Sequence, residues 1–224
     1  MYNYIVNKLY QSEEDVSENK HYGNSKGEPI ILDGWSKVMI SAPHCVKHLR
    51  EDDIKGADIF TYAIGVYINK ALGCPFIYQN GYDGTDGNYT ESRHSAYKQM
   101  LLRYIIKNDI RLLIDIHGMS NKYNKLVDIC TGGLERETLC NKTFELDILK
   151  YNLEKYLGAE NIGDNSIFDC KNPNTISNYI SANCNIPCIQ LEIALKIREP
   201  NNSEELLNSI INSIAQINYM NNKE

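Results

Sequence analysis

Leu112-Leu113-Ile114-Asp115-Ile116-His117-Gly118 decides how the rest of the chain reads. Four apolar residues and an embedded aspartate form a short run bounded by polar sequence, as in a buried strand. The run turns polar at its end, in Asp115, His117 and Gly118. In open α/β sheets, ligands sit outside the carboxyl ends of the strands. Side chains alternate along a strand, so Asp115 and His117 share one face. Two more apolar runs end in polar groups. Lys37 to His44 closes on Pro43-His44, and Ile186 to Glu192 closes on a carboxylate. Two histidines and a carboxylate at three strand ends point to a metal hydrolase.

Working outward, helical patterns separate these strands. Residues 58–72 read as a helix, apolar nearly all round and closed by Gly73, with Asp58 in its first turn. Pro75-Phe76-Ile77-Tyr78 is a short strand. The loop from Gln79 to Glu91 has three glycines and three acids and is placed near the site. Residues 94–107 carry Tyr97, Met100, Leu101, Tyr104 and Ile105 at helical spacing. Leu126 to Thr131 reads as a strand, 143–157 and 175–183 as helices, and 186–197 as a strand. Glu204 and Glu205 open a last helix within 201–224. Alternating strands and helices give an α/β fold with a mixed, mostly parallel sheet flanked by helices. Residues 1–36 are expected to be irregular, with Tyr4, Ile5 and Val6 as an edge strand and the acids from Glu13 to Glu18 in a solvated loop.

The totals bound the answer. The chain has 224 residues, enough for one domain with a sizeable core, and no linker-like stretch divides it. A formal charge of −6 argues against nucleic acid or an anionic membrane as partner. No window approaches the ~18 apolar residues of a membrane span. Seven cysteines, with no signal pattern at the N-terminus, read as reduced thiols of a cytoplasmic protein. The oligomeric state is not legible.

Each candidate residue carries a plainer alternative. His44 and His117 are either zinc ligands or satisfied structural histidines. Asp58 is a third ligand or a helix-start acid that favours the macrodipole. Asp115 orients His117 from behind, sits on the metal itself, or bonds a neighbouring loop. Glu192 is a general base whose pKa rises with burial, or one half of an ion pair with Arg198 or Arg93. Arg198 either clamps a substrate carboxylate or is solvated. His48, Arg50, Arg93 and His94 lie in loops near the site, where they bind substrate or face water. Cys45, adjacent to His44, points to the opposite strand face and is no nucleophile.

Ser41-Ala42-Pro43-His44, Asp58 with its helix, Ile114-Asp115-Ile116-His117-Gly118 and Gln190-Leu191-Glu192-Ile193 together resemble the N-formylglutamate amidohydrolase family over about residues 37–200. The resemblance implies a phosphorylase/hydrolase-like α/β fold, related to zinc carboxypeptidases and zinc-dependent amidases. It implies a zinc-activated water that hydrolyses the amide of a small N-acyl amino acid or peptide-like substrate. It implies His44, Asp58 and His117 as metal ligands, Glu192 as the catalytic glutamate, and Arg198 facing a substrate carboxylate, with His48 and Arg93 as further substrate contacts. Two departures stand out. Pro43-His44 continues with Cys45-Val46 where the family has Ser-Gly, and Lys47 stands where carboxypeptidases place a ligand glutamate. The rival readings are a cell-wall or peptide amidase, a carboxypeptidase-like enzyme on the same fold, a metal-free hydrolase, and a degenerate member that binds ligand.

Overall fold

Short apolar runs pair side by side through the middle of the protein, and the amphipathic helices cover them. In chain order the computed structural model contains α1 (Tyr2–His21), β1 (Pro29–Leu32), β2 (Val38–Ala42), β3 (His48–Arg50), β4 (Asp53–Lys55), α2 (Thr61–Leu72), β5 (Phe76–Gln79), α3 (Ala96–Asn108), β6 (Leu112–Met119), β7 (Val127–Cys130), α4 (Phe144–Leu157), β8 (Ile162–Asp164), α5 (Ile176–Cys184), β9 (Cys188–Ala194), α6 (Leu195–Arg198) and α7 (Glu204–Asn221). The structure describes residues 2–24 and 26–221.

Seven strands form one sheet in the order β1-β5-β2-β6-β9-β7-β8, and β3 and β4 form a separate hairpin. β5, β2, β6 and β9 run parallel through the centre. β1 is antiparallel to β5, and β7 is antiparallel to β9. The sheet is therefore mixed and mostly parallel, as the alternation of strands and helices predicts.

Both faces are buried, which is why the central strands read as continuous apolar runs rather than alternating ones. Val38, Ile40, Ile114, Ile116, Ile189 and Leu191 pack on one side with α1, α2, α4 and α7. Met39, Leu113 and Cys188 pack on the other with Tyr97, Leu101 and Ile105 of α3 and Ile176 and Ile180 of α5. Inside α2, Gly65 lets the helix approach β5, because a Cβ there would meet the Phe76 ring at 2.3 Å. Gly73 closes α2 in the left-handed conformation (φ 64°). None of the described helices is long and apolar enough to cross a membrane.

The N-terminal segment differs from expectation. Residues 1–36 are not irregular throughout, and Tyr4, Ile5 and Val6 lie in α1 rather than in an edge strand. The acidic stretch is helical as well. Leu9, Glu13 and Val16 are the buried stripe of that helix. Their spacing is helical, but an acid in the middle position hides the stripe from a hydrophobicity pattern. The edge position falls instead to β1, which pairs antiparallel with β5.

Candidate metal centre

β2, β6 and β9 are neighbours, so their carboxyl ends meet at one place. His44 follows β2 by two residues, and His117 and Glu192 are register partners across β6 and β9. All three side chains are at least nine-tenths buried. The Nδ1 atoms of His44 and His117 are 3.1 Å apart. Asp58 Oδ2 lies 3.6 Å from the first and 3.7 Å from the second.

Asp58 reaches this point from the turn before α2, not from the helix itself. Its backbone N–H donates to the His44 carbonyl (2.7 Å), and its own carbonyl accepts from Thr61 N and Oγ1. The helix start is thus satisfied by the Asp58 carbonyl and by the Glu13 carboxylate, and Phe60 at the cap position makes no side-chain capping bond. The Asp58 carboxylate is left facing the two imidazoles.

Each imidazole is held from behind by its own acid. His44 Nε2 contacts Asp86 Oδ1 at 2.7 Å, and His117 Nε2 contacts Asp115 Oδ2 at 3.0 Å. A carboxylate on Nε2 favours a proton there and leaves the Nδ1 lone pair pointing at the neighbouring Nδ1 and Asp58. Burial alone lowers both histidine pKa values. For His44, Asp58 and Asp86 outweigh it and raise the value; for His117, Asp115 and Asp58 push it well above the usual range. Burial works in the opposite sense on Asp58, yet the two imidazoles hold its carboxyl below the ordinary carboxylate range.

These donors fit a divalent ion. Ligand atoms placed tetrahedrally around zinc at ~2.0–2.1 Å stand about 3.3 Å from one another. The three observed spacings, 3.1, 3.6 and 3.7 Å, straddle that value. The set of two nitrogens and one carboxylate oxygen, with Asp86, Asp115 and Glu192 close by, carries the negative charge that a cation would balance.

A second group, His44, His48 and Asp86, also clusters donor atoms. Its carboxylate is engaged by hydrogen bonds, whereas the buried Nδ1 of His48 has no hydrogen-bond partner among the described residues. The 2.7 Å between His44 and Asp86 is a charge-assisted hydrogen bond rather than a ligand–ligand spacing. Asp86 also accepts from Asn88 N, Tyr89 N and Arg50 Nε (2.6 Å). His48 lies flat against His44, centroids 3.8 Å apart, and burial lowers its pKa to about 3. The two groups share His44, which meets His117 through Nδ1 and Asp86 through Nε2.

A cleft of about 670 Å³ opens over these groups, lined among others by His48, Arg50, Tyr89, Tyr123, Phe168 and Glu192. Burial raises the Glu192 pKa, and Gln190 donates to its Oε1 at 2.8 Å. Two arginines named from the sequence are elsewhere. Arg93 is on the surface, paired with Glu91 (2.8 Å), and does not line the cleft. Arg198 is buried behind the site. The chain leaves β9 at Ala194 and turns helical, which swings Arg198 back to donate to the carbonyls of Ile193 and Ile59. Its guanidinium fills the space beside Gly118, where a Cβ would come within 2.5 Å of it. Neither placement suits a substrate clamp. Asp86, in the 79–91 loop, is the residue that sequence reading missed. Three acids lie in that loop with no periodicity to single one out.

Fold and site together define a class: a zinc-carboxypeptidase-like α/β fold with a buried His–His–Asp group at the carboxyl ends of its central strands. Within it, the chain is similar to N-formylglutamate amidohydrolase from Ralstonia eutropha JMP134, with TM-score 0.63 and 10% identity over 87% of this chain and 98% of that one. It is similar to a bacteriophage poly-gamma-glutamate hydrolase, with TM-score 0.54 and 17% identity over 88% and 92% of the two chains. It is also similar to a metallo-carboxypeptidase from Pseudomonas aeruginosa, with TM-score 0.52 and 12% identity over 96% and 68%. No protein-family model and no curated protein matches the sequence. At these identities the likeness is one of fold, and it includes the family that the sequence resembles.

Proposed function

We propose that the chain is a metal-dependent amidohydrolase acting on a small N-acyl amino acid or short peptide-like substrate that carries a carboxylate. The observation that carries this reading is the pair of Nδ1 atoms 3.1 Å apart with the Asp58 carboxylate beside both. His44, Asp58 and His117 would hold one divalent ion, zinc by their donor type. Bound there, zinc supplies the Lewis acidity that polarises a scissile carbonyl and acidifies water.

The remaining steps belong to the chain. Asp86 and Asp115 keep the two imidazoles in place. Glu192 lines the cleft with a pKa raised by burial, which suits a carboxylate that takes a proton and returns it to the leaving amine. Gln190 fixes the orientation of that carboxylate. Arg50 takes the part assigned from sequence to Arg198. Its Nε is tied to Asp86, and its guanidinium lies 3.9 Å from the centre of the Tyr89 ring. Among the described residues no acceptor takes its terminal N–H groups, which leaves the fork for a substrate carboxylate.

A second reading is a longer acidic chain as substrate. The cleft is larger than one amino acid needs, and Lys55, Lys122 and Lys171 stand with Arg50 in its lining. The phage neighbour acts on poly-gamma-glutamate, by its name. Hydrolysis of N-formyl- and N-acetyl-glutamate beside poly-γ-glutamate, with zinc removed by chelator and added back, tests both. Zinc-dependent turnover that falls about 100-fold or more in Glu192→Gln supports the mechanism. Turnover indifferent to chelator and to Glu192→Gln contradicts it.

A further inference from the structure

Lys98 is a fully buried lysine in the first turn of α3, and the proposed chemistry does not use it. It forms no ion pair among the described residues. Its ammonium donates instead to two backbone carbonyls, Thr90 O at 2.7 Å and Asn174 O. Burial pulls its pKa down to about 8, and Asp86 and Asp115 act in the opposite direction.

The two carbonyls belong to the two walls of the cleft. Thr90 closes the tight turn that begins at Asp86. Its N–H donates to Asp86 O (2.8 Å), and its Oγ1 accepts from Asp86 N (3.0 Å). Asn174 precedes Thr175 and Ile176. Asn88, inside the first turn, accepts from Ile176 N through its side chain (2.8 Å) and lines the cleft with Thr175. The walls are therefore joined twice, once by Asn88 and once by Lys98. The turn so fixed is the one whose Asp86 carboxylate holds His44 Nε2.

Burying an ammonium with only carbonyls as direct partners is an unfavourable way to fill a core. A methionine would fill similar space without that penalty. We infer that the Lys98 ammonium is a built-in cation that clamps the 86–90 turn to the 174–176 segment and thereby positions Asp86 behind His44. Lys98 does not line the cleft, so it is a positioning residue.

The test is Lys98→Ala in the full chain, with n-propylammonium as the probe that replaces the missing amine and tetramethylammonium as the salt control. Hydrogen exchange is read at the Thr90 and Ile176 amides and, for comparison, at β6 and β9 amides. The clamp requires exchange at Thr90 and Ile176 to rise about tenfold or more while the strands stay protected, and propylammonium but not tetramethylammonium to restore it. Lys98→Met is expected to behave like Lys98→Ala but without rescue, since its side chain fills the space. The zinc affinity of both variants is expected to fall about 10- to 100-fold, as for loss of an outer-shell partner. That last readout rests on the proposed metal site, whereas exchange does not. A protein that takes up no zinc yet shows local, rescuable exchange keeps the clamp and loses the metal. Unchanged exchange at Thr90 and Ile176 in both variants overturns the clamp. So does a uniform loss of protection that propylammonium does not reverse, which marks an ordinary core residue.

Discussion

The Nδ1 atoms of His44, two residues past β2, and of His117, on the adjacent parallel β6, face each other at 3.1 Å, and the far nitrogen of each ring ends on a different buried carboxylate. The two imidazoles, each steered from behind and joined by Asp58, gather the donor types a cation takes at the floor of the cleft.

Removing either steering acid is expected to weaken metal binding without unfolding the protein. Asp86→Asn and Asp115→Asn should each lower zinc affinity about 10- to 100-fold, measured by competition with a chromogenic chelator. Asp86 has the larger expected effect, because it also holds Arg50. Affinity equal to wild type in both variants would mean that the imidazoles are positioned by packing alone.

The three arginines should separate cleanly. Arg50→Gln is expected to raise KM for a carboxylate-bearing substrate about 10- to 100-fold with a smaller change in kcat. Arg93→Gln should leave both parameters within about twofold, since exposed ion pairs contribute little. Arg198→Gln should act on stability, lowering it by about 1–3 kcal/mol in urea unfolding, because the buried Ile193 carbonyl and the half-buried Ile59 carbonyl lose their donor. A KM effect confined to Arg198→Gln would restore that residue as the clamp.

Glu13 gives a pH dependence that is independent of the metal. Its carboxylate accepts from Phe60 N at 2.8 Å and Ala63 N at 3.4 Å, yet burial raises its pKa from 4.5 to about 7. The native state then holds a proton that the unfolded chain releases near pH 4.5. Stability from this group is full below pH 4.5, falls as pH rises toward 7, and is level above that. Relative to Glu13→Gln, the wild type should lose up to about 3 kcal/mol between pH 4.5 and 7.5. Urea unfolding of the two proteins across that range checks the sign, and a difference that grows in favour of wild type as pH rises would reverse it.

Much of the architecture can be read from the chain because burial on both faces makes β2, β6 and β9 continuous apolar runs, and the polar residue at the end of each marks the carboxyl edge of the sheet. His44, Asp115, His117 and Glu192 are visible for that reason, and the structure brings them together with Asp58. Other features leave no such mark. The stripe of α1 is interrupted by Glu13, whose role is to meet the backbone N–H groups at the start of α2. Asp86 sits in an irregular loop, and its partners His44 and Arg50 are distant in sequence. Arg198 reads as the end of a strand, but a four-residue helix turns it back under the sheet. In each case the missing information is three-dimensional, a partner distant in sequence rather than a pattern within it.

Metal content tests the central claim most directly. Purified wild type, incubated with zinc and desalted, is measured by elemental analysis beside His44→Ala, His117→Ala and Glu192→Gln, with folding checked by circular dichroism. The expected result is about one zinc per chain in wild type and in Glu192→Gln, lost in both histidine variants. A folded wild type that retains no zinc, or histidine variants that retain it in full, would contradict the site.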